Sequence, residues 1–345
     1  MVQLLLALGA CHPTTSTFTD GDADADADAD SDADTDTDTY GYGHSWTTTW
    51  GHSDVLPVHS AVPFEVDCNA VTNQPLSFRT VNGARGYHDV AIAPTGHILG
   101  QDSAGNLVRA LYMQNPTVFV PNTGTLQGMD WLPNGDLAIA RDRDRTITRV
   151  TQQGATTVIS NNVGAYGVIT GPDGQLYVAN YDQILRIDPT TGAKTVLLQP
   201  PAQLQPRVIN FSPDYSRMYI GTIFGNGNIF YVDLNPDLTV ASNVRVFATG
   251  VGTGSYHDCL QVDYCGNLYV SDFSTRTLYK IDPNGNTRVY LEMVVNNQYG
   301  HGARFGNGVG GFRLDALYMP QPYHANTVAE IVLGVPSRTW DGTPF

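Results

Sequence analysis

The sequence predicts an all-β protein in which one four-stranded unit is repeated around a closed ring. A phrase made of a short apolar run, a turn ending in Gly and a Leu-Tyr-Val-like run returns about every 40 residues, for example at 171–178 and 262–270. Strand-like runs and turn signals alternate within each unit, without an amphipathic helical pattern between them. Antiparallel four-stranded units at this period are typical of propeller blades, and counting the phrases predicts a six-bladed β-propeller.

The first element along the chain is an apolar N-terminal run that ends in Leu8-Gly9-Ala10-Cys11. This ending resembles a bacterial lipobox, in which the Cys is lipidated. Residues 1–11 are therefore predicted to be a lipoprotein-type signal with lipidation at Cys11, and a plain signal peptide is the alternative. The prediction places the protein outside the cytoplasm, as a bacterial outer-membrane or cell-surface lipoprotein that meets the membrane through its lipid anchor only.

The second element is a stalk at residues 12–59, in which Asp alternates with small residues from Asp22 to Thr39. Such a segment has little apolar surface to bury, and its like charges repel each other, so it is predicted to be disordered and extended. The net charge of −15 comes largely from this segment. Since no Lys/Arg cluster stands out elsewhere, nucleic acid is not an expected partner.

The third element is the propeller itself, predicted at residues 60–345. Its turn positions, spaced by about 40 to 50 residues, are Gly96, Gly135, Gly174, Tyr215, Gly266 and Asp315. The sixth unit ends after its third strand, at 327–332, and a ring must close or leave open strand edges. A strand-like run at about 76–81 is predicted to supply the missing fourth strand.

The phrases at 172–179 and 263–272 resemble those of the senescence-marker-protein/gluconolactonase family, also called regucalcin-like. The ending at 305–312 with Leu317-Tyr318 looks like a branch found among secreted bacterial lipoproteins. The resemblance implies a six-bladed propeller. It also implies a divalent metal at the channel mouth, held by a Glu, two Asn and an Asp, that assists lactone hydrolysis.

The first residue of each inner strand should face the central channel, eight positions before each turn position. These positions share a polar or hydrogen-bonding side chain: His88, Gln127, Tyr166, Arg207, Asp258 and Asn307. One such residue per blade at one height predicts a ligand-binding channel mouth. The alternative is that polar groups at strand ends simply meet water.

The resemblance carries over to this ring only in part. Asp258 matches the family's Asp, whereas His88 stands at the Glu position and Gln127 and Arg207 stand at the Asn positions. A guanidinium cannot lose its proton and would place a fixed positive charge where the cation should sit. No cofactor is therefore predicted. A rearranged site for Zn²⁺, Mn²⁺ or Ca²⁺ built from His88, His257 and Asp258 is the alternative.

The same tripeptide, Tyr-His-Asp, occurs at 87–89 and at 256–258, and it has two possible explanations. Repeat duplication explains it, and so does a His/carboxylate pair that acts as general acid and base. The predicted function is a monomeric, lipid-anchored envelope propeller that binds a small molecule, a glycan or an envelope protein. The alternative is a metal-dependent, lactonase-like hydrolase or a lyase with the candidates His88, His257 and Asp258.

The remaining cysteines predict one disulfide. Cys259 and Cys265 lie along one extended strand and its turn, and six extended residues span about 20 Å, which is too far for a bridge. We therefore expect Cys68 to pair with Cys265, and Cys259 to be a buried free thiol.

Overall fold

The computed structural model describes residues 66–224, 226–252 and 256–339, and its strands form six four-stranded antiparallel sheets. The first strand in the chain is β1 (Ser77–Val81). Blade 1 comprises β2 (Val90–Ile92), β3 (His97–Gln101), β4 (Leu107–Leu111) and β5 (Thr117–Val120). Blade 2 comprises β6 (Met129–Trp131), β7 (Leu137–Arg141), β8 (Thr146–Val150) and β9 (Thr156–Asn161). Blade 3 comprises β10 (Ala165–Thr170), β11 (Leu176–Asn180), β12 (Gln183–Ile187) and β13 (Lys194–Leu198).

The second half of the ring repeats this arrangement. Blade 4 comprises β14 (Gln205–Phe211), β15 (Arg217–Ile223), β16 (Ile229–Asp233) and β17 (Arg245–Ala248). Blade 5 comprises β18 (His257–Val262), β19 (Leu268–Asp272), β20 (Thr277–Ile281) and β21 (Thr287–Glu292). Blade 6 contains β22 (Arg304–Phe305), β23 (Ala316–Gln321) and β24 (Thr327–Val332). A single 3₁₀ turn at Val295–Asn297 is the helical element of the described residues. The predicted six-bladed propeller is confirmed.

The ring closes through β1, as predicted. This strand pairs antiparallel with β24, from Ser77 opposite Val332 to Val81 opposite Val328, so the sixth sheet has the order β1-β24-β23-β22. The closing strand is far from its partner in sequence, and the pairing joins the two ends of the described chain. Closure of this kind protects the edge that β24 would otherwise present to solvent.

The core lies between neighbouring blades, because the inner strands are buried on both faces. For example, Ala138 of blade 2 packs in one apolar cluster with Val178 of blade 3. In blades 1 to 5 the turn after the inner strand needs a left-handed residue: Gly135 has φ 80°, and Tyr215 takes the same place in blade 4 with φ 57°. This is why the turn glycine marks the repeat in the sequence.

A disulfide and a lysine fasten the entry segment to the face opposite the starts of the inner strands. Cys68 is bonded to Cys265, which lies in the turn between β18 and β19, and the predicted disulfide is therefore present. The Lys280 ammonium donates a hydrogen bond of 2.8 Å to the carbonyl oxygen of Thr72. Cys259 is free and buried.

The predicted signal at 1–11, with Cys11, and the predicted stalk at 12–59 lie outside the described residues. In the part of the chain that the structure describes, no helix has the length and apolar character needed to cross a bilayer.

Candidate functional site: the channel mouth

The inner strands begin around one opening of the central channel, which we call the channel mouth. Five of the six predicted residues line a single depression there, which encloses about 480 Å³ of non-protein space, part of it continuous with solvent. These five are His88, Gln127, Tyr166, Arg207 and Asp258. The sixth blade contributes His301 and Arg304 to the same lining.

β-bulges place three of these side chains at the mouth. In blade 4, Pro206 lies opposite Thr222 and Val208 lies opposite Gly221, so that Arg207 is an extra residue without a partner in the ladder. Asp258 is the extra residue of β18 in the same way, and Tyr166 lies within the corresponding irregularity of β10. A bulge bends the strand and turns the side chain of the inserted residue, which here brings it to the channel lining.

Glycines after the mouth residues let neighbouring inner strands touch. The Gly128 N–H donates to the Tyr166 carbonyl oxygen at 2.6 Å, and a Cβ on Gly128 would lie 2.5 Å from that oxygen. Gly302 makes the equivalent bond of 2.6 Å to the His88 carbonyl oxygen, and its Cβ would lie 2.8 Å away. These contacts require glycine, and they pair the backbone at the mouth across adjacent blades.

Asp258 holds two cationic or polar partners at once. One carboxylate oxygen accepts a hydrogen bond from Arg207 Nε, and the other lies 2.8 Å from His301 Nδ1. Burial raises the pKa of Asp258, but the charge of Arg207 and the hydrogen bond from His301 more than offset this, so the pKa is lowered below its usual range. Since an ionised carboxylate can only accept, His301 Nδ1 must be the donor.

Aromatic rings hold the two partners of Asp258 in place. The Arg207 guanidinium lies 4.1 Å from the ring centroid of Tyr166 and 5.2 Å from that of Tyr256, within cation–π range. The His301 ring is stacked on Phe273, with centroids 5.0 Å apart and an angle of 15° between the planes. Both side chains are thereby oriented toward Asp258 by rigid neighbours.

His88 completes the group as a neutral imidazole. Its ring centroid lies 4.5 Å from that of His301, and burial, together with the nearby His301 and Arg207, lowers the pKa of His88 to about 3. Among the described residues, His88 Nδ1 and His301 Nε2 are buried and have no hydrogen-bonding partner. Buried polar atoms of this kind are uncommon, because each costs about 1–3 kcal/mol when unpaired.

A second ion pair closes the channel beneath this group. Arg304 Nη2 lies 2.8 Å from Asp89 Oδ2, and the same carboxylate oxygen accepts the Met129 N–H at 3.0 Å. Arg304 also donates to the carbonyl oxygens of Met129 and Val168. The Arg304 guanidinium is therefore bonded inside the channel rather than free to bind a ligand.

Two predicted residues lie away from the mouth group. Asn307 donates from Nδ2 to the Ala93 carbonyl oxygen at 2.8 Å and accepts the Val309 N–H, so it ties blade 6 to blade 1. His257 is fully buried between blades 4 and 5, where Nδ1 accepts the Thr222 N–H at 3.2 Å. Because of the bulge at Asp258, the two equal tripeptides are out of register: His88 reaches the mouth in blade 1, but Asp258 does so in blade 5.

His301 is the mouth residue that the analysis of the sequence missed. Counting backwards from Asp315 failed, because blade 6 carries a glycine-rich insertion at 306–314 between its inner strand and the turn. The forward signal was present: His301-Gly302-Ala303 repeats Gln127-Gly128-Met129 and Tyr166-Gly167-Val168. A polar residue before a close-contact glycine therefore marks the mouth in blades 2, 3 and 6, and in blade 6 it succeeds where the distance from the turn fails.

The side chains present do not fit the metal site that the family resemblance implied. Both carboxylate oxygens of Asp258 already have partners, and the guanidinium of Arg207 occupies one of them. Within the described ranges, no three His, Cys, Asp or Glu side chains gather as metal ligands. The alternative set of His88, His257 and Asp258 does not converge, because His257 lies between the blades.

Comparison with known proteins identifies the fold through solved structures alone. No family model matches the chain, and no curated protein sequence does. A gluconolactonase from Xanthomonas campestris superposes with a TM-score of 0.61 at 16% identity, covering 82% of this chain and 99% of that one. An auxiliary nutrient binding protein from Bacteroides thetaiotaomicron gives 0.58 at 14% identity, covering 73% and 69%.

A virginiamycin B lyase from Staphylococcus aureus, solved with quinupristin as a catalytically inactive His-to-Ala variant, gives a TM-score of 0.54 at 15% identity. That match covers 78% of this chain and 90% of the lyase. Gluconolactonase-like propellers are thus among the structural neighbours, as the sequence phrases suggested. At these identities the likeness establishes the six-bladed fold, which hosts both binding proteins and enzymes.

Proposed function

We propose that this protein is an exported propeller that binds a small, uncharged, polar organic molecule at the channel mouth. The observation that carries the proposal is the pair of unpartnered, buried imidazole nitrogens, His88 Nδ1 and His301 Nε2, at an opening lined by polar side chains. A ligand that supplies hydroxyl groups would satisfy both nitrogens and recover the free energy lost by burying them.

The charges of the site favour a neutral ligand. Arg207 is neutralised by Asp258, and Arg304 by Asp89. Burial raises the pKa of Asp89, although the Arg304 guanidinium and two backbone N–H groups act in the opposite direction. With both cations paired and His88 neutral, hydrogen bonding rather than net charge would select the ligand.

A thermal-shift screen of neutral sugars, polyols and lactones, followed by calorimetry of the hits, tests this function. His301→Phe keeps a flat ring against Phe273 and removes both nitrogens, so we expect it to lower the affinity of any hit at least tenfold. His97→Phe, at the opposite end of blade 1, is the matched control. Failure of the whole panel, or equal binding by His301→Phe, would refute the proposal.

A second candidate function is hydrolysis or elimination by acid–base chemistry. Asp258 orients His301 so that, in the neutral ring, Nε2 carries the lone pair and can accept a proton. In lactone hydrolysis, Nε2 would take a proton from water while the oxygen attacks the carbonyl carbon. The same proton would then pass to the leaving alkoxide as the ester C–O bond breaks. A gluconolactonase and a lyase among the solved neighbours support the test.

Catalysis is tested by following the opening of a lactone series and of quinupristin, with and without a chelator. An enzyme of this kind should lose activity at least a hundredfold in His301→Ala and keep it in His97→Ala. Binding of a lactone without turnover would favour the first function.

The exported location is also part of the proposal. The Cys68–Cys265 disulfide suits an oxidising compartment, and a nutrient binding protein is among the structural neighbours. We infer that Cys11 carries the lipid. Expression in a Gram-negative host should partition the full chain into detergent and Cys11→Ser into the aqueous phase. If the full chain and Cys11→Ser partitioned in the same way, the lipid anchor at Cys11 would be rejected.

A further inference from the structure

Aromatic side chains form an arc around one side of the channel mouth. Each follows the second strand of its blade: Tyr181 in blade 3, Phe224 in blade 4, Phe273 in blade 5 and, one residue later, Tyr323 in blade 6. Blades 1 and 2 carry Asp102 and Asp142 at this position. We call the four rings the aromatic arc. It covers four consecutive blades, because the repeat places equivalent residues at equal height.

Three of the four rings of the aromatic arc are exposed, whereas Phe273 is partly buried. Phe224 is 59% exposed, Tyr323 45% and Tyr181 37%. Phe224 and Tyr181 also have positive φ values of 60° and 47°. Bulky residues rarely adopt this conformation, and residues held in strained conformations cluster at active sites and ligand sites.

The aromatic arc is continuous with the polar group at the mouth. Phe273 stacks on His301, and its centroid is 5.9 Å from that of Tyr323. Tyr256, which also contacts Arg207, connects Phe273 with Phe224 through centroid distances of 6.3 Å and 5.6 Å. Centroid distances of 5.6 to 6.3 Å are those of rings in mutual contact, so these rings form one continuous aromatic surface beside the mouth.

From these features we infer that the aromatic arc and the mouth together bind an oligosaccharide, with one sugar over His88 and His301 and further sugars along the rings. This inference rests on the proposed binding function and extends it to a ligand class. A pyranose has apolar C–H faces that pack on aromatic rings and hydroxyl groups that both donate and accept. Those two properties match the exposed rings and the unpartnered imidazole nitrogens.

A peptide with aromatic residues could also pack on the aromatic arc, but the backbone at the mouth disfavours a peptide. Gly128 N–H and Gly302 N–H, with the carbonyl oxygens of Tyr166 and His88, are already paired between blades. A peptide would bring its own backbone donors and acceptors to a surface where these partners are used. A sugar brings hydroxyl groups, which can bond to the side chains instead.

Isothermal calorimetry with cello-, chito-, xylo- and malto-oligosaccharides of one to six units tests the inference. In at least one series, affinity should rise with chain length. It should fall about three- to tenfold in Phe224→Ala and in Tyr323→Ala, the size of one lost ring contact. Tyr323→Phe should retain affinity. Val196→Ala, an exposed apolar truncation on the outer strand of blade 3, is the control.

The outcomes separate this inference from the function on which it rests. If a small molecule bound in a way that depends on His301 but not on Phe224 or Tyr323, the oligosaccharide inference would be overturned, but the mouth would remain a binding site. Affinity independent of chain length, or no binding in any series, would also overturn it. Aromatic peptides that bind with the same dependence on Phe224 and Tyr323 would replace the oligosaccharide by a peptide.

Discussion

Replacing Asp258 by Asn should destabilise the fold strongly, because it leaves Arg207 buried beside a neutral amide. The carboxylate is 2% exposed and the guanidinium side chain 9%. Removing one partner of a buried ion pair costs about 3–5 kcal/mol, which for a domain of this size lowers the melting temperature by roughly 10 °C. At pH 7 the effect is complete: the pKa of Asp258 is lowered in the folded state, so its contribution is lost only as pH falls through that folded pKa.

Guanidinium denaturation followed by fluorescence measures this cost. Asp144→Asn is the matched control, because Asp144 forms an exposed pair with Arg141 that is worth at most about 1 kcal/mol. The double variant Asp258→Asn/Arg207→Met removes the stranded charge and keeps an unbranched chain between the rings of Tyr166 and Tyr256. It should be more stable than Asp258→Asn. A loss below about 1 kcal/mol in the single variant, or no recovery in the double variant, would refute the argument.

Three further predictions concern the rest of the fold. The pKa of His88 is lowered to about 3 in the folded protein, so below about pH 6.5 the unfolded chain binds more protons than the folded one. The free energy of unfolding should therefore fall as the pH drops from about 6.5, by up to about 1.4 kcal/mol per pH unit. If His88→Gln showed the same dependence on pH, this prediction would be contradicted. The disulfide spans 197 residues, which corresponds to a stabilisation of at most about 5 kcal/mol through the lower chain entropy of the unfolded state. In denaturation curves, Cys265→Ser should lose stability approaching this value. A free Cys68 in non-reducing peptide maps would reject the bridge. Deleting residues up to 81 should expose β24 and cause aggregation on size exclusion, whereas deleting residues up to 59 should not; equal behaviour would show that β1 is dispensable.

The repeated parts of the molecule could be predicted because their signals are local. A left-handed turn position before a Leu-Tyr-Val-like strand is set by a few neighbouring residues, so Gly135 and Gly174 mark it directly. The strand limits predicted at 327–332 and at about 76–81 agree with β24 and β1. The missing strand of the last blade then required β1 to close the ring.

The composition of the mouth could be predicted only in part. His88, Gln127, Tyr166, Arg207 and Asp258 follow from a fixed offset along regular blades, and they do line one depression. The offset fails in blade 6, where the insertion at 306–314 moves His301 to the place expected for Asn307. The aromatic arc was overlooked for a related reason: its members are far apart in sequence, and their equivalence is visible only after the strands are aligned.

The amino-acid sequence by itself determined the six-bladed ring and its closure by an N-terminal strand, because these depend on repeat period and turn chemistry. Of the cysteine pairings, chain geometry excluded Cys259 with Cys265. The tertiary structure alone decided that His301 is the second partner of Asp258 and that His257 is buried between blades. These pairings depend on single-residue bulges and on insertions, each of which shifts a side chain from one face of a strand to another. A shift of one residue has a small effect on the sequence pattern, but it changes which groups meet at the mouth.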